Sequence, residues 1–183
     1  LRESMGFGKT DGFAPARLTD GTVEVRWTPQ IKFLADLLGI DLDGIELEWE
    51  TAATPVDIET PNVGTYPAGT LCGYYWRLSG MVAGKPVVSA EYIAQITPDA
   101  QVPEHWPRLP AGIDGGIAYT VKGRPTYRTF LVPDPMPEGI NSGLAMTALA
   151  ATNAIPAVVA ARPGHLSPTD LPFYASRRGG SLR

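Results

Sequence analysis

Over residues 22–38, Val23, Trp27, Ile31, Leu34, Leu37 and Leu38 recur at spacings of three and four. That period lines up apolar side chains on one stripe of an α-helix, and Gly39 follows as a stop. Pro29 lies inside the run, where it would kink the helix or mark its true start. The period then changes to two. In IELEWETAA, residues 45–53, Ile45, Leu47 and Trp49 share one face while Glu46, Glu48 and Glu50 share the other. This predicts a strand with one wet side. Residues 69–81 and 85–96 are rich in Tyr, Val, Ile and Trp and meet at Ala83-Gly84, which predicts a β-hairpin. PNVGTYPAG before it reads as a turn region, and the proline-rich residues 97–114 after it read as a loop. Residues 117–121 and 125–132 make a second pair of short strands, PDPMPEG is a break, and residues 141–161 are helical in composition. Residues 1–21, rich in glycine, read as loop, and there is no internal repeat. The order of elements predicts an α+β fold: an open, mostly antiparallel or mixed sheet with helices packed on one face.

The chain has 183 residues, 44% hydrophobic and 19% charged, which is ordinary globular material. A net charge of -4 offers no basic face, so no nucleic-acid partner is expected. The single cysteine, Cys72, excludes an internal disulfide framework and agrees with a reducing, cytoplasmic setting. The stretch closest to a membrane span, residues 143–161, is interrupted by Thr147, Thr152, Asn153 and Pro156. It reads as a buried soluble segment, and no membrane association is expected. The start, LRES, lacks a basic region followed by an apolar core, so no signal peptide is predicted. A first residue other than Met is what a fragment or a processed part would show. The tail YASRRGGSLR is polar and glycine-rich, as loose termini are.

Several motifs approach a known chemistry and miss it. Gly6-Phe7-Gly8-Lys9-Thr10 ends like a phosphate-binding loop, but the first glycine of that pattern falls on Glu3 and no strand precedes it. Read as a dinucleotide fingerprint, the third glycine falls on Asp11. Cys72, His105 and His165 are far apart and lack metal-ligand spacing. Ser142 in GINSG is one place off a nucleophile elbow. His165, Ser167 and Asp170 are too local for a triad and read as solvated loop. In Glu104-His105-Trp106, a loop with Trp106 tucked against the sheet is favoured over a general base. The aromatic strand CGYYWRL is more suggestive. Alternation puts Thr70, Cys72, Tyr74 and Trp76 on one face, and Leu71, Gly73, Tyr75 and Arg77 on the other. One face must meet the helices. Aromatics with polar tips on the other could line a pocket, or serve as a core face plus an oligomer interface, and both readings stay open.

Thr152, Asn153 and Pro156 stand in an otherwise apolar run. Pro156 has no N–H and crowds the carbonyl of Thr152, so a short second helix starting at Ala154 is expected, with Asn153 as its N-cap. A helix start also presents N–H groups to a polar ligand.

LRESMGFGKT, LADLLGIDLDGIE, YPAGTLCGYYWRLSGMVAGKPVV, TNAIPAVVAARPG and TDLP follow one another through the chain. In that order they resemble the C-terminal half of the dihydrodipicolinate-reductase-like family, in the branch that includes 2,4-diaminopentanoate dehydrogenase and the NAD(P)H-dependent amine dehydrogenases. The resemblance implies residues 1–21 as the junction from a missing nucleotide-binding domain, 22–172 as a substrate-binding and dimerisation domain, and 173–183 as a flexible tail. It implies NADP or NAD as cofactor, bound mainly outside this chain, a small-molecule substrate and a homodimer through the sheet. It places Met5, Phe7, Thr70, Tyr74 and Tyr75 at the substrate, and Asn153 at the nicotinamide carboxamide. The family's acidic catalytic residue precedes the match to Leu1, so no catalytic base is assigned here, Glu3 included. The reaction it implies is hydride transfer to or from a C=N or C=O carbon. The weakly charged aromatic strand suits a hydrophobic ketone, imine or amine, and Arg77, Lys85, Arg124 and Arg128 do not form the basic cluster a dicarboxylate would need. A stand-alone binding or dimerisation module without activity is the alternative.

Overall fold

A computed structural model describes residues 5–61, 64–113, 115–134, 136 and 142–172. The chain divides into two compact units, Leu1–Arg108 and Leu109–Arg183. In the first, a short helix α1 (Ala16–Thr19) leads into α2 (Thr22–Leu38). The Asp20 carboxylate accepts the Thr22 N–H at 2.9 Å, which serves one of the orphan donors at the start of α2, and hydrogen bonding from Thr22, the side chain first and the N–H second, holds the Asp20 carboxyl below its ordinary value. Gly39, at φ 66, closes the helix from the left-handed region, where a residue with a side chain is disfavoured. Pro29 is neither start nor end: the helix runs through it.

Strands β1 (Gly44–Ala53), β4 (Leu71–Val82) and β5 (Lys85–Gln95) form an antiparallel sheet in the order β1-β4-β5. β4 and β5 are joined by Ala83 (φ 49) and Gly84 (φ 70), the two left-handed residues of a tight hairpin turn. The apolar stripe of α2, with Val23, Ile31 and Ala35 buried, packs on the sheet face that carries Tyr74, Trp76, Leu78 and Val88. Gly80 makes this approach possible, because a Cβ there would lie 2.8 Å from both Ile31 Cγ2 and Leu42 Cδ1. On the opposite face a second cluster joins Ala52, Cys72, Tyr75, Ala100 and Trp106.

Three expectations for this unit change. Residues 61–69 are more than a turn: β2 (Ile58–Thr60) and β3 (Gly64–Tyr66) pair as a small hairpin. The stretch 1–21 is more than loop, since it holds α1 and lies along the start of β4. Cys72 does not share a face with Tyr74 and Trp76. Ala52 pairs with Gly73 and Ala53 with Leu71, so Cys72 is the extra residue of a bulge, and the alternation slips there.

The second unit contains an antiparallel pair, β6 (Ile117–Val121) and β7 (Tyr127–Leu131), and the helix α3 (Ser142–Ala160). A 3₁₀ turn, Pro168–Asp170, follows and is closed by a capping box between Ser167 and Asp170. That accounts structurally for two of the three residues considered as a local triad. The break PDPMPEG lies mostly outside the described residues. α3 corrects two expectations. It is not interrupted: Pro156 sits inside one helix and Asn153 is an interior residue, not an N-cap. A proline costs the helix one hydrogen bond and some crowding, about 3 kcal/mol, whereas stopping and restarting would strand several N–H and C=O groups. The Thr152 hydroxyl, at 3.1 Å from the carbonyls of both Ala148 and Leu149, bonds back along the same helix. Nor is the segment buried, since none of its described side chains is. α3 is long and apolar enough to cross a membrane, with a mean hydropathy of 1.6, a test that the core helix of a soluble protein also passes.

Candidate functional site

The site is built at the start of β4. The Gly8 N–H donates to the Leu71 carbonyl at 3.0 Å, the Leu71 N–H to Lys9 at 2.8 Å, and the Asp11 N–H to Gly69 at 3.2 Å, with Thr10 bridged to Thr70. The segment thus runs beside β4 like an added strand. The Gly8 amide is spent in this pairing, and Gly6 (φ 75) and Gly8 (φ 79) turn the chain into it. The glycines therefore position the segment instead of cradling a phosphate.

This pairing carries Met5 and Phe7 onto the core that contains Tyr74. The rings then form a ladder. Phe7 stacks on Tyr74 at 5.9 Å, Tyr74 meets Tyr92 of β5 at 6.0 Å, Tyr92 stacks on Trp76 at 5.8 Å, and Trp76 meets Trp27 of α2 at 5.1 Å. Arg17 of α1 adds a charge, donating from Nη1 to the Tyr74 hydroxyl at 3.2 Å. Tyr74 is almost wholly buried. Burial pushes its phenol up, the neighbouring Tyr92 hydroxyl adds to the shift, and the Arg17 charge opposes it. The product is an aromatic core cluster beneath α2, with the Arg17 guanidinium at the Tyr74 hydroxyl and the partly exposed Phe7 and Tyr92 at its edge.

The other sheet face is a polar network. The Tyr75 hydroxyl donates to Glu91 Oε1 at 3.0 Å, and Arg77 pairs with Glu48 and stands 4.0 Å from Glu91. Burial, reinforced by Glu91, pushes the Tyr75 phenol up to about 12. Trp106 folds over this face, 5.8 Å from Tyr75, and its indole N–H donates to Glu50 Oε2 at 2.9 Å. His105 Nε2 lies 2.8 Å from the same oxygen. The Trp106 hydrogen bond, helped by His105, holds the Glu50 carboxyl below its ordinary value. The expected tucking of Trp106 against the sheet is what the structure shows.

Of the residues singled out in the sequence, Met5, Phe7 and Tyr74 meet in one cluster beside the core. Thr70 immediately precedes β4, half-buried, with its hydroxyl donating to the Pro67 carbonyl at 2.6 Å. Tyr75 points to the opposite face, under Trp106, and is not in that cluster. Asn153 belongs to the second unit, inside α3. Arg17 and Tyr92 were missed. Tyr92 is legible only from the hairpin register, which pairs it with Trp76, and nothing local in the sequence marks Arg17. A shallow cleft lined by Thr54, Asp57, Ile58, Glu59, Asp99 and Gln101 shares none of the ladder residues. Among the described residues no three His, Cys, Asp or Glu side chains come together as a metal site.

Comparison with known proteins bears on what this domain is. The family model of the 2,4-diaminopentanoate dehydrogenase C-terminal domain matches residues 3–181. The chain belongs to that family. An amine dehydrogenase of Streptomyces virginiae is 28% identical over 174 residues, which cover 94% of this chain and 48% of that protein. The chain thus spans about half the length of this curated relative. The structure of an amine dehydrogenase from Mycobacterium smegmatis superposes with a TM-score of 0.57 at 17% identity, over 95% of this chain and 46% of that one. At that identity the likeness is one of fold. As a 2,4-diaminopentanoate dehydrogenase C-terminal domain, the chain is a domain of an oxidoreductase family, and its antiparallel sheet with α2 on one face is the α+β arrangement expected.

Proposed function

We propose that this chain is the substrate-binding and dimerising half of an NAD(P)H-dependent, dihydrodipicolinate-reductase-like oxidoreductase acting on a hydrophobic C=N or C=O substrate in the cytoplasm. The observation that carries the reading is the ring ladder from Phe7 through Tyr74 and Tyr92 to Trp76, with polar groups at one end. The partly exposed edge of that ladder, Phe7 and Tyr92, offers an apolar substrate a surface to lie against. The glycine loop is spent on β4 pairing, so the nucleotide is held mainly by a preceding domain, in keeping with the span of about half of the Streptomyces virginiae relative. A bound nicotinamide supplies the hydride. The residues of this chain bind the substrate through Met5, Phe7, Thr70 and Tyr74, and Asn153 meets the carboxamide. A homodimer through the open sheet face belongs to the same proposal, and light scattering tests it.

The enzymatic test is oxidation of NADH and NADPH by the natural full-length polypeptide, against a panel of ketones with ammonia. Phe7→Ala is expected to raise KM for the substrate more than KM for the cofactor. Asn153→Ala is expected to do the reverse, and an unchanged cofactor KM removes Asn153 from the site. Absence of turnover with either nucleotide across the panel removes the oxidoreductase reading.

A further inference from the structure

The β6–β7 ribbon stands without cover. Every residue of both strands is exposed, and among the described residues of 109–172 none is buried. A lone two-stranded ribbon is marginal in water and needs a further layer to hold its shape. The register sorts its side chains. Ile117, Tyr119, Val121, Tyr127 and Leu131 share one side, while Thr120, opposite Arg128, and Ala118, opposite Phe130, share the other. Residues 117–132 contain Lys122, Arg124 and Arg128 and no Asp or Glu, a formal charge of +3. Among the described residues none of these three cations takes part in an ion pair.

The open face of the β1-β4-β5 sheet carries the opposite charge. Its cross-strand rows are Glu46–Ser79–Ser89, Glu48–Arg77–Glu91 and Glu50–Tyr75–Ile93. Four carboxylates stand there against one guanidinium, a formal charge of -3 with His105 neutral. Trp106 and His105 lie over the third row. In the second, Arg77 is shared between Glu48 and Glu91. In the first, the Ser79 and Ser89 hydroxyls are hydrogen-bonded at 2.8 Å and form a low floor. Glu46 beside them is exposed and, among the described residues, has no ion pair.

We propose that the ribbon of one copy lies with its Arg128 side on the open sheet face of a second copy, where Arg128 and Lys122 meet Glu46 and Glu48. This arm specifies the homodimer proposed above and rests on it. The occupant is a second copy because the two surplus charges are equal, opposite and carried by the same chain. A two-fold axis then seats both arms at once and closes the assembly. Laying one open face directly on another would set like charge against like, which complementary interfaces avoid. The spacing agrees. Glu46 and Glu48 are two residues apart on β1, about 7 Å. Lys122 lies two residues beyond Thr120, the residue opposite Arg128, so the two cations are also about 7 Å apart along the ribbon. Between the partners, the serine floor offers hydroxyl oxygens to a guanidinium.

Light scattering of the natural full-length polypeptide follows the dimer. Lys122→Glu with Arg128→Glu makes the ribbon acidic, and Glu46→Lys with Glu48→Lys makes the face basic. Each double variant alone sets like charges together and is expected to weaken the dimer by about a hundredfold or more. Mixed in equal amounts, the two variants complement each other at both contacts, and a heterodimer is expected within about tenfold of the wild-type affinity. Lys122→Gln with Arg128→Gln removes the charge without repulsion and weakens the dimer by about tenfold, which covers the case of a reversal that unfolds the ribbon. A ribbon variant that dimerises like wild type overturns the arm and leaves the homodimer reading standing. So does a mixture of the two reversed variants that stays monomeric. A monomeric wild type removes the homodimer and the arm together.

Discussion

Replacing Trp106 by alanine tests how the proline-rich loop is held to the sheet. The indole is 2% exposed and packs with Ala52, Cys72, Tyr75 and Ala100. Beneath it is Gly73, where an added Cβ would lie 3.3 Å from Trp106 Cζ3. Truncating a buried tryptophan removes its transfer energy and leaves a cavity, about 3–5 kcal/mol together. The hydrogen bond to Glu50 accounts for about 1 kcal/mol of that at most, because the Glu50 side chain is 47% exposed and water replaces the indole there. Whole domains are stable by about 5–15 kcal/mol, so the loss is a large share. Urea unfolding followed by far-UV dichroism measures it. With a slope of about 2 kcal/mol/M, the midpoint for Trp106→Ala drops by about 2 M. Trp106→Phe keeps most of the ring and loses the N–H, and falls by about 1–2 kcal/mol. A Trp106→Ala midpoint within about 0.5 M of wild type would refute the placement of this side chain in the core of the first unit.

Two further expectations follow from the same sheet. Tyr75 stays protonated in the fold, since burial and then Glu91 raise its phenol from 10.0 to about 12. Its contribution to stability is therefore complete below pH 10 and is lost as pH rises through about 12. Phenolate absorbance should show a last titration step that Tyr75→Phe removes, and Glu91→Gln should lower that step without returning it to 10.0, because burial is the larger cause; a full return would reverse the order of causes. Gly80→Ala places a methyl 2.8 Å from Ile31 and Leu42 and should cost about 1–3 kcal/mol in thermal unfolding. Gly44→Ala, with nothing within 4 Å, is the neutral control, and equal effects at the two sites would contradict the α2 contact.

Where a local signal and its neighbours agreed, the sequence was legible. The 3.6 period ending at Gly39 reads as α2 because both the apolar stripe and the stop lie in one segment. Alternation in residues 45–53 reads as β1 for the same reason, and its three glutamates are exposed. Composition also kept the glycines near the start from being taken for a phosphate loop. The candidate site was half legible. Tyr74 stands out on an aromatic strand, but its partner Tyr92 depends on register. Counted back from the Ala83-Gly84 turn, Trp76 would face Glu91. The pairing shifts by one between Gly80 and Met81, beside Pro86, and brings Tyr92 opposite Trp76 instead. A proline has no N–H to offer the ladder, and a bulge is a common way to absorb it.

The two errors about α3 have a different origin. Pro156 and Asn153 were weighed as local signals, and locally a proline after an asparagine does favour a break. A helix is cooperative, however, and its continuity is decided over its whole length. Nineteen residues that lack any charge and include many alanines offer more to an unbroken helix than one missing hydrogen bond takes away. Burial is less local still. Apolar composition says that a surface prefers cover, and the cover itself comes from whatever packs against it. The same distinction bears on Asn153. As an N-cap, its amide would have been occupied by its own helix. As an interior residue it is half-buried and has no capping duty. The continuous helix removes the free N–H groups that a start at Ala154 would have presented, so the cofactor contact at Asn153 rests on the family resemblance, and Asn153→Ala tests it: a ligand contact shows itself in KM.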